Sequence, residues 1–388
     1  MKSTVCGRNK SIPIGIIFSL MLFLTACTPG NGPTPPANLK STVGGTVSSL
    51  SGSGLVLQNN GGDDLSISAD GTFTFATAIA DGASYAVTVK TEPTGQTCAV
   101  DNGSGTVAGA NVTNVSVTCT TSAWETLAAI STYPAFSDFT PTGKSVLYTG
   151  NGSSMQEFTF PTSGNPQGVF TSLTAPTDGI DYYISFAWVG DSLYMAQGNS
   201  FYAYSIISDS WTKLKDGTLT YGHSESQSTA DDSGFVYSLS ESHQLLKYNT
   251  TNNTYVYIAT PSDLTISEPR AAWDSQTKRV YLADYDEPTS GFYAFNPDDN
   301  SFTALAPLPE FLGMSDAFCS DRRGHIFTAD GDGSSNAFWM YTAETDSWTS
   351  FPALPYAHGN NSSCTVSADG WLYFSDRYQT NIVRVKVF

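Results

Sequence analysis

From residue 41 onward the chain alternates apolar and polar positions in short runs: GTVSSL, GLVLQN, LSIS, TFTFAT, YAVTVKT and NVSVTC. A period of two is the signature of a half-buried β-strand. Turn formers stand between the runs at hairpin spacing: Gly52, Gly54, Asn59-Asn60-Gly61-Gly62, Asp70-Gly71 and Asp81-Gly82. About seven short strands in roughly eighty residues predict a small β-sandwich over residues 41–121.

Past Trp124 the pattern becomes a long repeat. An apolar-aromatic pair recurs as Leu147-Tyr148, Leu193-Tyr194, Val236-Tyr237, Val280-Tyr281, Ile326-Phe327 and Leu372-Tyr373, the second members 46, 43, 44, 46 and 46 residues apart. A further aromatic follows in each unit: Phe170, Trp211, Tyr255, Phe302 and Trp348, with Trp124 standing 46 residues before the first of these. The clearest copies are Tyr204-SIISDS-Trp211, Tyr248-NTTNNT-Tyr255, Phe295-NPDDNS-Phe302 and Tyr341-TAETDS-Trp348. Each predicts two strands joined by a polar hairpin, with both aromatics packed against the neighbouring unit. A period near 45 with four strands per unit predicts propeller blades. The last unit shows three strands, at Ser363–Ser367, Trp371–Phe374 and Ile382–Val387, and a spare strand, Ala123–Ala128, precedes the first unit. Adding the spare strand to the last unit completes six blades over residues 122–388, closed by the 122–130 strand, and removes the exposed edges.

The first forty residues read differently. Lys2, Arg8 and Lys10 precede an apolar run from Ile12 to Leu24, and Leu24-Thr25-Ala26-Cys27 ends it. Residues 1–26 therefore read as a signal peptide. Leu24–Cys27 resembles a bacterial lipobox, which implies cleavage before Cys27 and lipidation of its thiol. Thr28 in the next position implies an outer-membrane address in the cell envelope. Residues 27–40, rich in Pro and Gly, form a tether with a reach of roughly 3 Å per residue.

Composition then narrows the partners. The chain has 35 acidic and 17 basic residues, a net charge of −18. Removing residues 1–26 takes away three bases and no acid, leaving 14 − 35 = −21. Such a chain has no basic surplus to neutralise phosphates, which excludes nucleic-acid binding. An aromatic content of 13% with only 13% charged residues excludes a disordered polyampholyte. Past the signal peptide and Cys27, four cysteines remain: Cys98, Cys119, Cys319 and Cys364. An even count in an exported chain predicts disulfides, with three connectivities open. Cys98 and Cys119 share the sandwich segment, while Cys319 and Cys364 either bond to each other or stay as buried thiols.

The repeat resembles Kelch units, whose ends read aromatic, Asn or Asp, turn, Thr or Ser, Trp, then Leu-Pro. Leu308-Pro309 and Leu354-Pro355 supply that last element. The Gly-Gly pair usual in Kelch units is replaced here by Gly150-Asn151, Ala196-Gln197, Leu239-Ser240, Ala283-Asp284, Ala329-Asp330 and Phe374-Ser375. The segment before it resembles the immunoglobulin- or transthyretin-like modules that precede repeat domains in bacterial surface proteins, which implies a spacer or adhesion role. The expected fold is therefore all-β: a six-bladed Kelch-like β-propeller preceded by a small β-sandwich.

In such a propeller the connections between blades and the loops between second and third strands open on one face. The connections carry Asp181, Tyr183, His223, Glu225, Glu268, Arg270, Asp316, His358 and Asn360. The loops carry Asn199, Glu241, Asp284, Asp286, Asp330, Asp332, Asp376, Arg377 and Tyr378. Aromatic rings stack on sugars and carboxylates accept hydroxyl protons, so this rim suits a carbohydrate, and it suits a protein partner equally. The expected function is a non-catalytic ligand binder, a monomer held to the membrane by its lipid, taking a glycan or an envelope protein. Two alternatives stand beside it: an envelope-assembly protein and a sugar-modifying enzyme. Six-bladed Kelch-like envelope proteins include sialic-acid mutarotases. That resemblance implies Glu225 or Glu268 as a base, His223 or His358 as its complement, and Arg270 or Arg377 as a carboxylate clamp. Paired His with a Cys–Tyr crosslink, sialidase boxes and quinone-enzyme Trp motifs are missing from the sequence. No cofactor is expected. Ca²⁺ has two candidate settings, Asp63, Asp64 and Asp70 in the sandwich and the Asp284, Asp286, Asp330, Asp332 and Asp376 rim. The competing reading makes all of these turn residues.

Overall fold

The computed structural model describes residues 39–388 apart from 130–133, 137–143, 150–153, 163–164, 178–183, 198–199, 216–226, 241–243, 265–268, 284–290, 310–316, 330–334, 359–361 and 377–380. The signal peptide, Cys27 and most of the tether lie outside the described residues. Among those described, every regular element is a strand.

Residues 40–121 form two four-stranded sheets. One runs Gly71–Thr74, Val43–Ser48, Val112–Thr121, Gln96–Asp101; the other runs Gly62–Ile67, Leu55–Asn59, Ser84–Thr91, Ser104–Thr106. A two-stranded ribbon of Lys40–Ser41 and Ile79–Ala80 adds to them. The alternation seen in the sequence puts Val43, Val47, Phe73, Val115 and Val117 of one sheet against Leu55, Leu57, Tyr85 and Val87 of the other in one core. Cys98 and Cys119 face each other across two paired strands and are bonded.

Six further antiparallel sheets of four strands follow among the described residues. The first is Pro134–Phe136, Lys144–Thr149, Ser154–Thr159, Val169–Leu173; the second is Ile184–Val189, Ser192–Gln197, Ser200–Ser205, Ser210–Lys215. The third is Thr229–Ala230, Phe235–Ser240, Gln244–Asn249, Thr254–Ala259; the fourth is Arg270–Asp274, Arg279–Ala283, Phe292–Asn296, Ser301–Ala304. The fifth is Phe318–Ser320, His325–Ala329, Phe338–Thr342, Ser347–Phe351. The sixth draws on both ends of the domain: Ser363–Val366, Trp371–Ser375 and Asn381–Lys386, with Glu125–Ala129 as its outer strand. From the second sheet to the sixth, first strands of neighbouring sheets lie side by side, and Ser363–Val366 of the sixth meets Pro134–Phe136 of the first. This is a β-propeller.

The aromatic hairpins explain how the sheets hold together. Phe158 and Phe170, Tyr204 and Trp211, Tyr248 and Tyr255, Phe295 and Phe302, and Tyr341 and Trp348 are all direct cross-strand partners. In the Phe158–Phe170, Tyr204–Trp211, Phe295–Phe302 and Tyr341–Trp348 pairs the ring centroids lie 4.8, 5.1, 5.0 and 5.3 Å apart, a spacing worth about 0.5–1.5 kcal/mol beyond area burial. Each of the four six-residue turns closes through a left-handed Asp or Asn: Asp209 (φ 45°), Asn253 (58°), Asn300 (57°) and Asp346 (46°). Short polar side chains tolerate that conformation. The same carboxylates also bolt sheet to sheet. Asp209 accepts from the Tyr204 hydroxyl at 2.6 Å and from Thr174 N and Oγ1 at 3.1 and 2.8 Å. Asp346 accepts from Tyr341 at 2.8 Å and from Ala306 N at 2.9 Å. Outer-strand tryptophans repeat the device: Trp211, Trp348 and Trp124 donate Nε1–H to the carbonyls of Thr174, Ala306 and Pro352, at 2.7, 3.2 and 2.8 Å. Each of those carbonyls lies just past the outer strand of the preceding sheet.

Turns between first and second strands use buried carboxylates. Asp231 Oδ1 accepts from Ser233 N and Phe235 N, and its Oδ2 from the Tyr237 hydroxyl. Asp321 accepts from Arg323 N and His325 N, and lies 2.6 Å from His325 Nδ1. Burial of His325 disfavours its imidazolium, but the Asp321 carboxylate more than offsets this, Asp274 adds to it, Arg323 opposes it, and the His pKa is raised. A raised folded value means the stabilisation is complete below the unfolded value of 6.5 and is lost as pH rises through the folded one. His325→Gln is therefore expected to destabilise the protein at about pH 5 and to approach wild type at about pH 9 in paired urea titrations. A penalty that grows with pH would remove the pair's role.

Candidate functional site

The first strands of the sheets begin at one end of the ring of sheets, and the described polar groups gather there. Arg270 opens the first strand of the fourth sheet, is 4% exposed, and donates Nη1–H to the Pro269 carbonyl at 3.4 Å. That carbonyl also accepts Gln227 N at 3.0 Å, so the starts of the third and fourth sheets are joined. Gln227 Nε2 reaches on to the Phe318 carbonyl in the fifth sheet, 2.8 Å away. Between the fifth and sixth sheets, Ala317 N donates to Ser362 Oγ at 2.9 Å.

A second group of polar side chains sits at the same end of the sixth sheet. His358 is fully buried, its ring 5.2 Å from that of Phe374. Its backbone N–H and its Nδ1 both address the Ser335 carbonyl, at 3.2 and 3.3 Å, which makes Nδ1 the protonated nitrogen. Asp376 is fully buried one residue past the second strand, and Ser363 Oγ lies 3.2 Å from Ser375 Oγ. Burial pushes the Tyr356 phenol well above its ordinary range, and the Asp376 carboxylate pushes it further. The Tyr356 hydroxyl is buried without a hydrogen-bond partner. Arg270, Ser335, His358, Ser363, Ser375 and Asp376 are all engaged in interactions.

Among the rim residues named from the sequence, Arg270, His358 and Asp376 lie in described parts of the chain, and all three are buried at this end. Asp181, Tyr183, His223, Glu225, Glu241, Glu268, Asp286, Asp316, Asp332, Asn360, Arg377 and Tyr378 lie outside the described residues, as do Asn199, Asp284 and Asp330. Sequence reasoning missed Gln227, Ser335, Tyr356, Ser362, Ser363 and Ser375. Their only signal is position, near strand ends or in the segments between strands, and serine is too common in this chain to stand out.

Among the described residues, this end offers a guanidinium, a carboxylate, an imidazole and several hydroxyls. That set suits a polar, hydroxyl-rich ligand. In the sandwich, the candidate calcium ligands accept hydrogen bonds from within the module. Asp63 accepts from Thr77 N at 2.9 Å, Asp70 from Ser49 N and Leu50 N at 3.0 and 2.7 Å, and Asp64 from Gln58 Nε2 and Lys90. Hydrogen bonds from Lys90 and Gln58 hold the Asp64 carboxyl below its usual range. Among the described residues, no group of three or more His, Cys, Asp and Glu is placed to hold a metal ion.

One solved structure supports the β-propeller fold read from the sheet topology. The chain is similar to YjhT, with a TM-score of 0.52 and 11% identity over 67% of this chain and 99% of that one. A streptogramin B lyase gives a TM-score of 0.47 and 10% identity over 69% and 98% of the two chains. Virginiamycin B lyase from Staphylococcus aureus gives 0.44 and 9% over 69% and 100%. No family model and no curated protein sequence matches the chain. At such identity the likeness to YjhT speaks for the fold alone.

Proposed function

We propose that the protein is an envelope lipoprotein, anchored through Cys27, whose six-bladed Kelch-like propeller binds a carbohydrate or protein ligand without transforming it. The contrast between the two ends of the sheets carries this reading. At one end the turns are closed by the carboxylates of Asp231, Asp274 and Asp321. At the other end stand the buried Arg270, His358 and Asp376, with the Ser363–Ser375 pair beside Asp376 in the sixth sheet. The residues 27–40 tether would hold this head off the membrane.

The test is a glycan array and an envelope-protein crosslinking screen with residues 40–388, which form one compact unit. Wild type is expected to retain a glycan or a partner, and Arg270→Ala to weaken it at least about tenfold, which is about 1.4 kcal/mol. Arg377→Ala, at a rim position expected from the sequence, guards against a folding defect in the buried Arg270 variant. Binding that survives both substitutions would place the ligand elsewhere. A mutarotase-like enzyme is the second reading, favoured by the buried Arg270 guanidinium, the fixed charge that a substrate carboxylate requires. Faster anomeric exchange of sialic acid in an NMR spectrum would decide for it. A protein partner with a silent glycan array would favour envelope assembly.

A further inference from the structure

The sixth sheet is closed by strands from opposite ends of the propeller segment, and this closure is slight. Glu125 and Thr126 pair with Arg384 and Val383, then the register breaks before Ala129 meets Asn381. The Arg384–Glu125 ion pair beside it, at 2.8 Å, has a half-exposed carboxylate and adds little. The outer strands of the second and fifth sheets, by comparison, pair along nearly their whole length.

The sandwich reaches this seam with one loop, residues 93–96. Gly95 N donates to the Val387 carbonyl at 2.9 Å, just past the third strand of the sixth sheet. The Gly95 carbonyl accepts Ser122 N at 2.9 Å, just before its outer strand. One peptide unit on either side of Gly95 Cα thus ties both strands of the closure. Gly95 has φ +70° and its missing Cβ would stand 3.2 Å from the Phe351 ring and 3.6 Å from Pro352. Pro352 is also where Trp124 Nε1 docks, and the Trp124 ring packs edge-on to Phe338 and Phe374 at 5.4 and 6.3 Å.

The loop is itself held firmly. Gln96 is 3% exposed, its Oε1 accepting Ser51 N and Gly52 N at 2.7 Å and its Nε2 donating to the Ser49 carbonyl at 2.8 Å. The Cys98–Cys119 disulfide joins the two strands that lead to Gly95 and Ser122. Glu92 and Lys386 attract each other across the same junction.

We propose that the sandwich is the clasp of the propeller: its Gly95 loop locks the seam at which the ring of sheets closes. On this account the module is more than a spacer. Without it the Glu125–Ala129 strand would separate from Asn381–Lys386 far more often. The inference stands independently of any ligand.

Native-state hydrogen exchange on the whole chain tests it. Gly95→Val forces a β-branched side chain into a left-handed backbone and against Phe351. Exchange at the Val383 and Arg384 amides is expected to quicken by about tenfold or more, with protection of Val115–Val117 in the sandwich unchanged. Gly82→Val is the control: Gly82 has φ +80° with nothing within 4 Å of its Cβ position, so it carries the same backbone strain away from the seam. Should Gly95→Val fail to accumulate, Gly95→Ala is read instead, with a smaller rise expected. Unchanged exchange at Val383 and Arg384 in the Gly95 variant, or an equal rise in Gly82→Val, would overturn the clasp.

Discussion

Replacing Cys319 and Cys364 together by alanine is expected to cost the propeller about 4 kcal/mol, the loop entropy released when a cross-link over 45 residues is lost. The bond joins the first strands of the fifth and sixth sheets, and both cysteines sit in the core that those sheets share, 4% and 2% exposed. In the unfolded chain it removes conformations that the open chain regains. Alanine is preferred to serine because a buried hydroxyl would add its own penalty. Urea titration of the double variant against wild type, both unreduced, measures the effect. A loss below about 1 kcal/mol would mean that native strain cancels the loop term. The Cys98–Cys119 bond spans 21 residues and is worth about 3 kcal/mol by the same relation.

Asp274→Ala is expected to be nearly as damaging, at about 3–4 kcal/mol. The residue is fully buried and serves two sheets at once. Its Oδ1 accepts from Thr277 N and Oγ1 at 2.8 and 2.9 Å, closing the turn of its own sheet. Its Oδ2 accepts from Gly324 N at 2.8 Å and Ser320 Oγ at 3.1 Å, on the equivalent turn of the fifth sheet. Removing the carboxylate leaves the buried Gly324 N–H and the half-buried Thr277 N–H without an acceptor and opens a gap between the turns. Asp274→Asn should retain part of the stability, since an amide oxygen can still serve one turn. Thermal melts of the pair would settle the point. Equal melting of Asp274→Ala and wild type would show that water replaces the carboxylate.

Both effects rest on contacts between sheets, and such contacts divide what was legible in the sequence from what was not. The hairpins were legible. Tyr204 and Trp211, or Tyr341 and Trp348, are separated by six turn formers, and a two-strand hairpin is the local solution for that pattern. Strand positions followed for the same reason: Leu193-Tyr194 lies inside Ser192–Gln197 and Val280-Tyr281 inside Arg279–Ala283. The sandwich was legible in outline, though two four-stranded sheets and a ribbon exceed the roughly seven strands read from its alternation. Asp231, Asp274 and Asp321 gave no such signal, because an aspartate in a turn looks the same whether it caps one sheet or bolts two. The Ser335, Ser362, Ser363 and Ser375 group was hidden likewise, since those residues are far apart in the chain and ordinary in type.

Alternation and a period near 45 residues determined, without a structure, that this chain is all-β and that its larger part is built from repeated hairpins. These are local properties, set by which side of a strand is apolar and where the backbone can turn. Only the tertiary structure decided that Cys319 bonds to Cys364, that Arg270 and His358 are buried, and that Gly95 of the sandwich grips both strands of the closing sheet. Each of those depends on groups tens to hundreds of residues apart: Cys319 and Cys364 stand one repeat apart, but whether such groups meet is set by how the sheets twist and stack.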